Sequence, residues 1–145
     1  MEYRKDIQNM VESVDLSIWK DKEIDGIQYD IYPWHQYSAI SIKTRSDDDS
    51  DVASWKYFEC AKSDCMRDSI DFKEYQGSYS AELYHCMLLK AAKALLEIDL
   101  SKYGIGSLVG ELGLNRLFVA RVFDPDETFQ FNYCEYLVAL DHENA

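Results

Sequence analysis

Basic residues are in short supply in this chain of 145 residues. Lys and Arg number 15 against 27 Asp and Glu, a formal net charge of -12 at neutral pH. A field of that sign repels nucleic acid and anionic membrane surfaces. It attracts basic proteins and speeds their arrival, in a salt-sensitive way. No stretch approaches 18 apolar residues, so no membrane span is expected. The opening MEYRKD has no apolar segment behind it, which predicts no signal peptide. The four cysteines, Cys60, Cys65, Cys86 and Cys134, include no CxxC pair. These absences together predict a cytoplasmic protein with free thiols.

Signatures of catalysis and of cofactors are also lacking. His35, His85 and His142 lie far apart, and there is no HExxH. His85 and Cys86 are neighbours, so on a helix they project about 100° apart and converge poorly on one ion. Gly104, Gly106 and Gly110 spell GIGSLVG, but the last interval is four residues and the segment follows a helix. A dinucleotide loop needs an interval of about three and opens a helix, and a Walker loop needs a Lys-Ser/Thr that is absent. Gly104 reads instead as a helix C-cap. No nucleophile elbow occurs. Pro125-Asp126-Glu127 has nuclease-like lettering, yet no Lys or Arg follows Arg121 to steady a phosphate. The expectation is a protein that is not an enzyme, with no cofactor and no metal.

What is present suits one folded domain spanning residues 1–145, of a size whose core needs no metal or disulfide. Tyr3, Ile7, Met10, Val11, Val14 and Ile18 share one face of a predicted helix over 3–18, with Trp19 behind it. Ile27 to Tyr32 and Tyr37 to Thr44 alternate as a hairpin. Gln28, Asp30, Tyr32, Ser41 and Lys43 fall on its wet side. Val52 to Cys60 is a third strand candidate, with Trp55 and Tyr57 on one face. Residues 61–77 fit either a short helix with a loop or a fourth strand. Residues 80–98 form the clearest helix, capped by Ser80. Leu117 to Phe123 and Thr128 to Cys134 read as a second hairpin around Pro125. The tail from Glu135 is a closing helix or a strand continuation. The fold class is therefore α+β: a largely antiparallel sheet of about five strands with two main helices packed on it.

The acids are concentrated. Asp47, Asp48, Asp49 and Asp51 fall within SDDDSD, an exposed loop by composition. Residues 124–145 hold six acids, Asp124, Asp126, Glu127 and Glu135 among them, and no Lys or Arg. Trp55, Tyr57, Tyr133 and Tyr136 are interleaved with these acids. Aromatic anchors can supply contact energy while carboxylates pair with Lys and Arg of a basic partner. These twelve residues are the predicted partner-binding set.

The opening helix with Ile7, Met10, Val11 and Val14 leading to Trp19, the strand pair, and Phe129-Gln130-Phe131-Asn132-Tyr133 before Glu135-Tyr136 carry a resemblance. Over about half its length the chain resembles the immunity proteins of bacterial polymorphic-toxin and contact-dependent inhibition systems, within them the YezG-like family. The resemblance implies a small cytosolic protein that binds a toxin domain, commonly a nuclease, in a one-to-one complex and blocks it. It implies no catalytic residues. A DNA-mimicking inhibitor of a host defence enzyme and a non-catalytic adaptor are the alternatives.

Overall fold

The computed structural model describes residues 2–78, 80–106, 108, 118–125 and 131–143. Helix α1, Glu2–Ser13, buries Tyr3, Ile7, Met10 and Val11, the face that the periodicity predicts. It stops short of Ile18. Ser13 Oγ turns back to the Met10 carbonyl at 2.8 Å, and Asp15 accepts the Ser17 N–H at 2.8 Å to start a separate turn, α2, Leu16–Trp19. A capping side chain inside an apolar period ends one helix and begins another. Trp19 is buried, donates its indole N–H to the Val11 carbonyl at 3.2 Å, and stacks on Tyr103 at 4.6 Å.

Strands β1, Ile24–Tyr32, and β2, Tyr37–Thr44, form the first hairpin in the predicted place, with Tyr32 opposite Tyr37 across the turn of residues 33–36. Strand β3, Tyr57–Ser63, lies antiparallel to β2. It begins later than Val52 because residues 52–54 coil into a 3₁₀ turn, closed by the Trp55 N–H on the Val52 carbonyl. Trp55 therefore stands outside the strand and does not share a face with Tyr57. The undecided stretch 61–77 finishes β3, makes a 3₁₀ turn at Cys65–Asp68, and enters α3, Ile70–Gly77, which Ser69 caps through the Phe72 N–H. Helix α4, Ala81–Leu96, is capped by Ser80 and buries Tyr84, Met87, Leu88, Ala91, Ala92, Ala94, Leu95 and Leu96. Gly104 adopts a left-handed φ of +79° and closes a 3₁₀ turn, Ser101–Tyr103, beyond α4.

The second expected hairpin is not what the described residues form. Strand β4, Val119–Arg121, runs parallel to β1, with Gly26 opposite Val119 and Gln28 opposite Arg121. Gly26 permits this approach, since a Cβ there would sit 3.0 Å from the Val119 carbonyl oxygen. Residues 131–134 belong to no strand: Tyr133 opens helix α5, Tyr133–Glu143. Asn132 is the reason. Its Oδ1 accepts the N–H groups of Val122 and Cys134 and its Nδ2 donates to Ala120, so one side chain caps α5 and pins it to β4. Residues 128–130 and the tail after 143 lie outside the described residues.

Among the described residues the sheet thus has four strands in the order β3-β2-β1-β4, mixed rather than wholly antiparallel, in an α+β fold. Helices α1 and α4 cover the face carrying Ile27, Tyr29, Ile31, Ile40 and Ile42, all essentially inaccessible. Asp6 of α1 is buried there and accepts the hydroxyls of Tyr29 and Ser38, tying the helix to both central strands.

The opposite face is the main correction. Gln28, Asp30, Ser41 and Lys43, expected in water, are 2%, 2%, 0% and 4% exposed. The segment 46–58 folds back across them. Polar alternation along a strand marks two faces; it does not show that the polar one meets solvent.

Candidate binding site

The acidic loop is exposed, as its composition predicts, but two of its four carboxylates are tied to other parts of the chain. Asp47 is half-buried and accepts the Thr44 N–H at 2.8 Å, the Thr44 hydroxyl at 2.9 Å and the Lys56 N–H at 3.2 Å. Asp48 is exposed, and the Ser50 backbone N–H and hydroxyl hold its carboxyl below the usual range. Asp49 bridges Lys43 at 3.3 Å and Arg121 at 3.1 Å. Partial burial pushes its carboxyl up, but the two cations outweigh that and leave it below the ordinary value. Asp51 is exposed. Trp55 is 3% exposed, donates to the Asp48 carbonyl at 2.6 Å, and carries the Arg121 guanidinium over its ring at 5.6 Å. Tyr57 is half-buried with its hydroxyl on Asp21. Trp55 thus anchors the loop to its own sheet, and the expectation of an outward anchor is corrected.

The C-terminal half of the predicted set divides differently. Asp124 is half-buried, and Asp126 and Glu127 lie outside the described residues. Tyr133 is 7% exposed, with its hydroxyl 2.9 Å from His85 Nδ1, so it too is a packing residue. Glu135 and Tyr136 face solvent. Tyr136, 43% exposed, meets Phe131, 47% exposed, at 5.5 Å between rings, and Leu140 follows at 38% one turn on. Glu135, Asp141 and Glu143 are exposed on the same helix. The result is an aromatic ridge with carboxylates beside it and no Lys or Arg on α5.

The sequence reading missed a second place. On the face crossed by segment 46–58, a cleft of about 400 Å³ is lined by Gln28, Asp30, Tyr32, Trp34, His35, Tyr37, Val52, Ala53, Phe58 and Pro125. Burial pushes the Asp30 carboxyl up to about 7; hydrogen bonds from Gln28 and Tyr32 favour its anion, and the Glu59 charge opposes it. Gln28 Nε2 lies 3.0 and 3.1 Å from the two Asp30 oxygens, while Gln28 Oε1 is buried with no partner among the described residues. Tyr32 stacks on Tyr37 at 4.7 Å and meets Trp34 edge-on at 5.9 Å. Tyr37 donates to Glu59, and burial pushes its phenol up to about 12.

Glu59 itself sits at φ +44°, where β2 and β3 shift register and the Ser41 hydroxyl takes the Glu59 N–H at 2.8 Å. The irregularity turns its carboxylate toward the Tyr37 hydroxyl. No ion pair reaches Asp30 among the described residues. A carboxyl held like this can exchange a proton near neutrality or pair with an incoming cation. The clue available in the sequence was the aromatic cluster Tyr32, Trp34, Tyr37 around one polar strand face.

Among the described residues no group of three or more His, Cys, Asp and Glu is arranged to hold a metal ion, and no helix is long and apolar enough to cross a membrane. No protein-family model, curated protein or solved structure matches the chain.

Proposed function

We propose that this protein works by binding: it holds a basic protein domain in a one-to-one complex and neutralises it. Immunity proteins act so on toxin domains, and a nuclease is the foremost candidate. In this reading the protein is cytoplasmic and catalyses nothing itself. The observation that carries it is the ridge of Phe131, Tyr136 and Leu140 on α5, exposed beside Glu135, Asp141 and Glu143. Large side chains left in water on a small domain mark a contact surface when they are contiguous. Here the flanking charge selects the partner's sign. The net charge of -12 draws such a partner from a distance.

A row of carboxylates imitating DNA draws less support. Asp47, Asp48 and Asp49 of the loop are bonded within the chain, to Thr44, Ser50, Lys43 and Arg121, which leaves fewer unpaired carboxylates for a phosphate-like row.

The test is titration of the purified protein against the product of the adjacent open reading frame, by calorimetry over a salt series. The expected result is one-to-one binding to a basic domain, weakened by salt. Phe131→Ala with Tyr136→Ala should weaken it at least about tenfold, with the melting temperature little changed. Binding untouched by the double substitution would remove the ridge from the account. A neighbouring product that is acidic or does not bind would remove the immunity reading.

A further inference from the structure

Arg121 shows what this face of the sheet can do with a guanidinium. Its head lies over the Trp55 ring at 5.6 Å and pairs with Asp49 at 3.1 Å. The neighbouring cleft has similar parts and no ion pair to its carboxyl among the described residues: Asp30 in the lining with Trp34, Tyr37, Phe58 and His35, Lys62 Nζ lying over the Tyr37 ring at 5.7 Å. Gln28 Oε1, buried in the same lining, is an acceptor still to be satisfied, and a donor from a water or a ligand would complete it.

The open acceptor is the Gln28 oxygen, next to a carboxyl that Gln28 Nε2 and Tyr32 already bond; with aromatic rings in the same lining, this pair suits a planar group with several N–H donors. The match to arginine is better than to lysine. Guanidinium is flat, stacks on rings, offers donors in a fork and is weakly hydrated, so it loses less on leaving water. An ammonium is a strongly hydrated point charge and would meet the buried carboxyl at greater cost.

We infer that the cleft over Asp30 is a receptor for a single arginine side chain presented by a basic protein, with Asp30 and Gln28 as acceptors and Trp34 and Phe58 as stacking walls. Phe58, 40% exposed at the rim, provides an apolar collar for the arginine stem. The inference rests on the reading of the protein as a binder of a basic partner and adds where one anchor of that partner would enter.

The experiment uses the full chain and a small probe, so it does not depend on having the partner. Nα-acetyl-arginine methylamide is titrated while the Trp34 indole and Gln28 amide signals are followed by NMR. Nα-acetyl-citrulline methylamide, similar in shape but uncharged, is the control. Expected are saturable shifts at millimolar concentrations with the arginine probe and none with citrulline. Asp30→Asn should raise the dissociation constant at least about tenfold. Phe58→Ala, at a rim position outside the core, should also weaken binding and stands in if Asp30→Asn does not fold.

Binding should tighten from pH 6 to pH 8 as Asp30 ionises. The other charged or titratable groups facing it are Tyr32 on its own strand, Tyr37 on β2, Glu59 with its partner Lys62 on β3, His35 in the turn and Arg121 on β4. Loss of that pH dependence in Asp30→Asn would assign it to Asp30. Absence of saturable shifts, an equal response to citrulline, or affinity unchanged in both variants would overturn the inference. Probe binding without any basic partner would leave the cleft standing and remove the proposed function. Partner binding without probe binding would do the reverse.

Discussion

Asp30 makes a prediction about stability that needs no ligand. Its carboxyl titrates at about 7 in the folded protein against an ordinary 3.8, because burial disfavours the anion. A raised carboxyl affinity means that the folded state binds more protons than the unfolded state between those two values. Stability therefore falls as pH rises through that window, the reverse of the usual effect of a paired carboxylate. At about 1.4 kcal/mol per tenfold in proton affinity, the separation costs the fold about 4 kcal/mol once Asp30 is fully ionised. Between pH 5 and pH 8 the change is about 2–3 kcal/mol, a sizeable part of the 5–15 kcal/mol (roughly) that holds a domain together.

The assay is urea unfolding followed by tryptophan fluorescence at intervals across that range, for the native chain and for Asp30→Asn. The growing self-repulsion of an acidic protein is nearly common to both, so the difference isolates the group. Stability of the native chain relative to Asp30→Asn should fall by about 2–3 kcal/mol from pH 5 to pH 8. Parallel curves, with the difference constant to within about 0.5 kcal/mol, would refute the reasoning, since no buried carboxyl would then be ionising at a cost.

Two further predictions follow from packing and burial. Trp55→Ala removes a side chain that is 3% exposed and the platform for Arg121, and should cost about 3–5 kcal/mol in urea unfolding; a cost under about 1 kcal/mol would place the ring outside the core. Burial pushes the Cys60 thiol up to about 11 and Cys134 higher still, whereas Cys65 and Cys86 are exposed. A disulfide reagent at pH 8 should thus modify Cys65 and Cys86 quickly and the other two only on unfolding, as peptide mapping would show.

The readable parts of the fold were those whose local and tertiary preferences agree. Ser80 before a long apolar stripe gave α4, and two alternating runs around Pro33 gave the β1–β2 hairpin. The misread parts were those where alternation stood for more than it can carry. Phe129, Phe131 and Tyr133 alternate, yet Asn132 followed by Glu135 before an apolar run is also a helix-start pattern, and that pattern prevails because Asn132 bonds Val122 and Ala120 across the fold. Lys43 and Arg121 show what the composition of the exposed acidic loop does not reveal. Their partner Asp49 is far away in sequence from Arg121, and no local pattern could reveal that it pins a loop over the sheet. Of the predicted contact residues, Glu135 and Tyr136 lie on the exposed ridge, while Trp55 and Tyr133 are used inside. The Asp30 cleft was invisible for the same reason as that pinning, because the cover that buries it comes from elsewhere in the chain.

The central claim is that the ridge on α5 meets a basic partner. It is tested most directly by calorimetric titration with the adjacent gene product, comparing the native chain with the Phe131→Ala, Tyr136→Ala double variant. The account predicts a one-to-one complex that weakens with salt and weakens at least about tenfold in the variant. A complex of equal strength with both chains, or none with either, would contradict it.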